Sequence, residues 1–304
     1  MTAPIISASH LAKKFARNDV LRDINLNIQQ GQVVGLLGTN GAGKTTLIKC
    51  LLGLLRPTGG HCEIFGENSW NLSAKAKSRL GYVSQEFAVL PWMKVQASTE
   101  YVGAFYEHWD YDFVNHLLDE WKLDRSDRVG VLSVGQRQKL AVILAMGHRP
   151  ELLILDEPVA SLDPVARRQF LKSMIEYTSD EKHTIFFSTH ITSDLERIAT
   201  HVAIVQEGLI GYSGELDALK NQVKRLRIRS DKELPADLQV PGTIRSRVEG
   251  KHALITVTEM SQTTRDSVTE RWQADVDVED LNLEEIFLEL SGTSSEEEIT
   301  GVRP

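Results

Sequence analysis

Apolar and polar positions along this 304-residue chain change rhythm several times, and each change marks an element. "IISASHL" and "INLNI", within residues 5–28, alternate with period two and predict two short strands, the second ending before the turn "QQGQ". "VVGLLG" (33–38) is continuously apolar, as a strand buried on both faces must be. "KTTLIKCLLGLL" follows with helical spacing and is closed by the breakers of "RPTGG". "GYVSQ" (81–85) predicts another short strand, and residues 86–150 read as mainly helical. Two further apolar runs, "LLILDEP" and "TIFFSTH", flank a helix, and "VAIVQEGLIGYSG" predicts a closing hairpin. Strands alternating with helices predict an α/β fold with a largely parallel sheet, interrupted by a helical insertion at about 86–150.

The texture changes near residue 222. "RLRIRS", "RSRVEG" and "HALITVTE" alternate with period two, split by "ELPADLQVPG", and a helix-like stretch and "ADVDVED" follow. The last helix is sharply marked: Asn282 is a cap, Glu285 sits three residues on, and Leu283, Ile286, Phe287 and Leu290 form one apolar stripe. The expected organisation is a main domain over 1–221, a small α+β accessory domain over 222–290, and an acidic, disordered tail over 291–304.

Composition narrows the class. Hydrophobic content of 41% with 25% charged residues is ordinary for a globular protein. The net charge of −8 argues against a general nucleic-acid binder, which usually carries a basic domain or stripe. Cys50 and Cys62 match no metal-ligand spacing and read as reduced thiols of a cytosolic protein. The start "MTAPIISASHLAKKF" lacks the layout of a secretory signal, and no apolar run approaches the roughly 18–20 residues needed to cross a bilayer.

The chemistry sits at the ends of the apolar runs. Gly38, Gly43, Lys44 and Thr45 form G-x-x-x-x-G-K-T between a buried strand and a helix, the context a phosphate loop requires. Backbone N–H groups along Asn40, Gly41, Ala42 and Gly43, with the helix start at Thr46, would cradle phosphate oxygens. Lys44 reaches the β- and γ-phosphates, and the Thr45 hydroxyl can ligate Mg²⁺. "LLILDEP" places Asp156 and Glu157 at a strand end, where one carboxylate can hold the water shell of Mg²⁺ and the other polarise an attacking water. Seen alone, such a pair would also suit an ordinary acidic loop.

"LSVGQRQKLAVILAM" (132–146) resembles the signature sequence of ABC ATPases, with Leu132, Ser133, Gly135 and Gln136 in place and Val134 where the common form has glycine. Other motifs of that family follow in order over roughly residues 5–220. Phe15 stands at the place of the aromatic that stacks on adenine, Gln85 at the Q-loop, "SLD" with Asp163 at the D-loop, and His190 at the switch histidine. The resemblance implies a P-loop NTPase core of the ABC type with ATP and Mg²⁺ as cofactors. Thr45, Gln85 and Asp156 would hold Mg²⁺, partly through water, while Glu157, His190 and Gln85 act in hydrolysis. It also implies a head-to-tail dimer, a homodimer being sufficient, in which Ser133 and Gly135 of one subunit meet the γ-phosphate bound by the other.

What hydrolysis drives is open to three readings: a membrane transporter, a soluble ABC ATPase acting on DNA or ribosomes, and a nucleotide-binding regulator. Only about 47 residues separate Gln85 from Leu132, too few for the long coiled coil of the DNA-repair type. One ATPase domain is present where the translation type usually has two. The transporter reading is preferred, with a polytopic permease as partner, no nucleic acid, and a cytoplasmic position on the inner face of the membrane. Phe87, Trp92, Met93 and Tyr101 are candidate walls for a groove that receives the permease's coupling helix, with exposed Trp92 preferred. Tyr101, Phe105 and Trp109, spaced by four, read as an internal stripe. The ending "VDVEDLNLEEIFLEL" resembles ATPase subunits of bacterial ABC-2-type exporters, so export is favoured over import.

Overall fold

The computed structural model describes residues 3–85, 90–179, 182–258 and 262–292. The chain divides into two compact units between Ser213 and Gly214. The pattern change seen at residue 222 comes one short helix later.

In the first unit, β1 (Ile6–Phe15) and β2 (Asn18–Ile28) form an antiparallel hairpin, longer than the short strands their alternation predicts. Then come β3 (Val33–Leu37) and α1 (Lys44–Leu51), followed by β4 (Gly59–Ile64), β5 (Glu67–Asn68), α2 (Ala74–Lys77) and β6 (Leu80–Val83). The helical insertion holds α3 (Val95–Gly103), α4 (Tyr111–Glu120) and α5 (Val134–Met146). After it come β7 (Leu152–Asp156), α6 (Pro164–Thr178), β8 (Thr184–Thr189), α7 (Thr192–Ile198), β9 (His201–Gln206) and β10 (Leu209–Glu215).

These strands make one sheet in the order β5-β4-β1-β2-β10-β9-β3-β8-β7-β6. Its β9-β3-β8-β7-β6 half is parallel, and its β2-β1-β4-β5 half is an antiparallel arm. The parallel half carries the continuous apolar runs because its interior strands are covered on both faces: every residue of β3, β7 and β8 is buried. Leu36, Leu47, Ile154 and Phe186 pack α1 onto β3, β7 and β8. Each such side chain contributes about 1.5–3 kcal/mol on burial. That packing fixes where the loop before α1 stands relative to the ends of β7 and β8.

The second unit holds α8 (Leu216–Gln222), β11 (Val223–Ser230), β12 (Thr243–Glu249), β13 (His252–Thr258), α9 (Gln262–Trp272), β14 (Ala274–Asp280) and α10 (Leu283–Ser291). Its antiparallel sheet runs β12-β13-β11-β14. Period-two alternation sends Leu226, Ile228, Ile255, Val257 and Val276 into a core with Val268 of α9. Asn282 and Glu285 form a reciprocal capping box at the start of α10. Glu285 and Glu289 of the same helix hold the guanidinium of Arg225, which is nine-tenths buried.

The aromatics of the insertion depart from the expected internal stripe. Helix α3 ends at Gly103, so spacing by four does not carry on to Phe105 and Trp109. Tyr101 and Phe105 are 50% and 72% exposed and meet edge to face on the surface. Trp109 is half-buried, its indole lying against Gly103 and Gly147.

Candidate functional site

The chain leaves β3 in a loop that brings backbone, not side chains, to the front of α1. Gly43, the residue before the helix, has φ 103° and lies so close to the β2 segment that an added Cβ would stand 2.9 Å from Leu21 Cδ2. Glycine is required there on both counts. Helix α1 starts without a side-chain cap or an acidic residue in its first turn, so no cap or acid there competes with an anion for its leading N–H groups and positive dipole end. Lys44 folds back over the loop: its Nζ donates to the carbonyls of Gly38 (2.8 Å) and Thr39 (3.3 Å). Thr45 and Thr46 are half-buried in the same turn.

Across from this loop, β7 ends at Asp156 and is followed by Glu157. Asp156 is fully buried, and its Oδ1 accepts a 2.6 Å hydrogen bond from Ser188 Oγ on β8. The same hydroxyl accepts from the Glu157 backbone N–H at 2.9 Å. Glu157 has φ 52°, a left-handed conformation that costs a non-glycine residue about 1–2 kcal/mol. That bend turns its carboxylate back toward the loop, where Oε1 lies 3.4 Å from Lys44 Nζ and Oε2 2.9 Å from His190 Nδ1. Four predicted residues, Lys44, Asp156, Glu157 and His190, therefore meet in one place.

Among the described residues Asp156 Oδ2 has no hydrogen-bond partner, although it is buried. A hard, uncompensated carboxylate oxygen of this kind suits Mg²⁺, which takes oxygen ligands. The Tyr82 hydroxyl is also buried and without a partner among the described residues, and burial, followed by the charge of Asp156, pushes its pKa up to about 12. Gln85 lies two residues beyond the end of β6 rather than at a strand end, and is exposed.

Ser133, Gly135, Gln136 and Asp163 form a second cluster that makes none of these contacts. Ser133 caps α5, with its Oγ accepting from the Gln136 N–H and its own N–H donating to Gln136 Oε1. Gly135 sits against the turn before α6, where an added Cβ would be 3.2 Å from the Ser161 carbonyl. Asp163 caps α6 by accepting from Ala166 and Val165, and those N–H groups hold its carboxyl below the usual carboxylate range. Val131, Val134 and Val165 stand exposed near these helix starts. Phe15 lies at the end of β1, half-exposed, with the Lys13 ammonium 4.8 Å from its ring centroid.

A cavity of about 250 Å³ opens beside β6 and is lined by Tyr82, Leu90, Met93, Tyr101, Val102 and Tyr106 among others. Met93 and Tyr101 of the predicted groove residues belong to it. Trp92 is 66% exposed but is not part of the lining, and Phe87 lies outside the described residues. Sequence reasoning missed Ser188, because "FFSTH" drew attention to its histidine. A serine following three apolar residues inside a fully buried strand was the available signal.

A phosphate loop facing a carboxylate pair, on a mixed sheet with a helical insertion, defines a P-loop nucleotide-binding protein. Residues 21–160 match the family model described as ABC transporter. The chain is 32% identical over 223 residues to the bacitracin transport ATP-binding protein BcrA of Bacillus licheniformis, covering 73% of each protein. It therefore belongs to the family of ABC transporter ATP-binding proteins. A solved ATP-binding subunit of an ABC transporter superposes with a TM-score of 0.65 at 26% identity, covering 71% of this chain and 92% of that one. A dimeric ATP-binding cassette in a post-hydrolysis state, bound to ADP and Pi, shares the fold with a TM-score of 0.62 at 20% identity, covering 69% and 98%. Among the described residues, no helix is long and apolar enough to cross a membrane.

Proposed function

We propose that this chain is the ATP-hydrolysing subunit of a bacterial-type ABC exporter, dimerising head to tail around two nucleotides and driving a separate membrane permease. The observation that carries the proposal is the placement of Glu157, a strained and buried carboxylate held between Lys44 and His190. The phosphate loop and the α1 N-terminus bind the phosphates, and Lys44 exchanges its loop carbonyls and Glu157 for β- and γ-phosphate oxygens. Thr45 and Asp156, with Gln85, would hold Mg²⁺, which neutralises phosphate charge when bound. Glu157, aimed by its bond to His190, accepts the proton of a water as that water's oxygen bonds to the γ-phosphorus and the bond to the ADP oxygen breaks. Ser133 and the backbone at Gly135, at the uncluttered start of α5, supply a second anion-binding helix terminus for the γ-phosphate of a facing subunit. Phe15 supplies an exposed ring for the base.

The cavity beside β6 is the place for a permease's coupling helix, with Met93 and Tyr101 in its wall. Export is supported by the "VDVEDLNLEEIFLEL" ending and by a relative named for transport of an antibiotic. Replacing Glu157 with glutamine tests the hydrolytic assignment: ATP binding is retained, turnover drops by a factor of about 100 or more, and an ATP-bound dimer accumulates on gel filtration. Native turnover in Glu157→Gln would overturn it. Affinity purification from detergent-solubilised membranes tests the coupling, with a multi-span protein expected, and ribosomes or DNA alone contradicting it.

A further inference from the structure

Two connections leave neighbouring strand ends. One runs from β7 through Glu157 and Asp163 into α6, the other from β8 through His190 into α7. Near the strands they are joined by Ser188 to Asp156 and by His190 to Glu157. Farther out they are joined again, because Arg167 Nε of α6 donates to Asp194 Oδ1 of α7 at 2.6 Å.

This outer link is buried at its acidic end, where the Asp194 side chain is 2% exposed and the Arg167 side chain 26%. Among the described residues the other carboxylate oxygen of Asp194 has no hydrogen-bond partner, so the Arg167 guanidinium is the contact that holds this buried carboxyl. Such pairs are weak contributors to stability, since their desolvation cost rivals their attraction. Position gives a better reason for it. Arg167 lies one helical turn past Asp163, to whose carbonyl its N–H bonds at 2.9 Å. Asp194 lies one turn past His190, its N–H bonded to the Ile191 carbonyl at 3.3 Å, while Ile191 is pinned by Thr189 Oγ1 at 3.0 Å. The segments 157–167 and 190–194 are thus cross-linked at both ends, with His190–Glu157 at one end and Arg167–Asp194 at the other. A closed ring of two short, hydrogen-bonded segments cannot shift one corner without moving the next.

We infer that Arg167 and Asp194 are positioning residues that keep His190 aligned on Glu157, and that they carry any displacement of the Asp163 turn to that histidine. The inference rests on the hydrolytic reading of Glu157 and His190. It gives the turn before α6, whose Ser161 carbonyl lies against Gly135 of the signature helix, a mechanical route to the hydrolytic groups.

The test is steady-state ATP hydrolysis by the full chain carrying Asp194→Asn or Arg167→Lys, with thermal unfolding measured in parallel. In each variant kcat falls about tenfold or more while the KM for ATP moves by less than about threefold. In a His190→Ala background, Asp194→Asn lowers the residual rate by less than about twofold, because the group it positions is gone. A kcat within about twofold of wild type in the folded variants would overturn the inference. So would a loss that multiplies with that of His190→Ala. If Asp194→Asn unfolds, Arg167→Lys, at the more exposed end, decides alone. Native turnover in Glu157→Gln or His190→Ala would instead remove the underlying reading. Abolished turnover there, with active Asp194→Asn, removes only the positioning pair.

Discussion

Lys44 Nζ lies 3.4 Å from Glu157 Oε1, and both side chains are more than nine-tenths buried. The phosphate-loop cation and the carboxylate that would activate water therefore compensate one another before any phosphate is present. Lys44→Met removes the proposed phosphate ligand and the buried carboxylate's counter-charge together. Its affinity for ATP should fall about tenfold or more, and its stability without nucleotide by about 1–3 kcal/mol. Fluorescent-nucleotide titration and urea unfolding measure the two effects. Unchanged affinity would exclude Lys44 as a phosphate ligand.

Ser188 holds both acidic residues with one hydroxyl, donating to Asp156 and accepting from the Glu157 N–H. Ser188→Ala leaves a buried carboxylate oxygen and a buried N–H without partners. The expected cost is about 1–3 kcal/mol of stability, together with a lower kcat, because the bend at Glu157 loses its anchor. A variant as stable and active as wild type would show that the hydroxyl anchors nothing.

His148 stacks on Tyr106 with ring centroids 3.9 Å apart, and its Nε2 donates to the Leu80 carbonyl, leaving Nδ1 buried and without a partner among the described residues. Burial pushes its pKa down to about 4, only partly offset by the bond to Leu80. Below about pH 6.5 the unfolded chain takes up a proton that the native chain refuses. Stability is therefore full above that pH, declines as pH falls, and stops declining near pH 4. The loss amounts to roughly 3 kcal/mol. His148→Gln should abolish most of this decline, as read from urea midpoints at pH 7 and pH 5. An equally steep decline in the variant would place the effect elsewhere.

Cys50 and Cys62 are both buried, and burial followed by the neighbouring Cys62 pushes Cys50 up to about 11. Burial likewise raises Cys62. Because the thiolate is the reactive form, alkylation by iodoacetamide at pH 8 should be about 100-fold slower in native than in urea-unfolded protein. Equal rates would mean that the thiols are open to solvent.

Asn282→Ala removes one half of the capping box at the start of α10 and should cost about 1 kcal/mol. Asn282→Asp should restore most of it, since an aspartate side chain accepts the same Glu285 N–H bond. Denaturant unfolding of the two variants provides the comparison.

Much of this protein was legible in its sequence because local rules are written locally. The glycines before Lys44, the apolar runs of β3, β7 and β8, and the cap at Asn282 each depend on residues within one turn or one strand. Their backbone demands and burial patterns need no knowledge of the rest of the chain. Helix α3 shows where that reasoning stopped. Spacing by four predicted a buried stripe, but the helix ended at Gly103 and left Tyr101 and Phe105 in solvent. Only the tertiary structure decided that Ser188 meets Asp156 across 32 residues and Arg167 meets Asp194 across 27. Those pairings follow from the parallel register of β7 beside β8. Register is set by packing over the whole sheet, a free energy distributed over distant residues that no short motif contains.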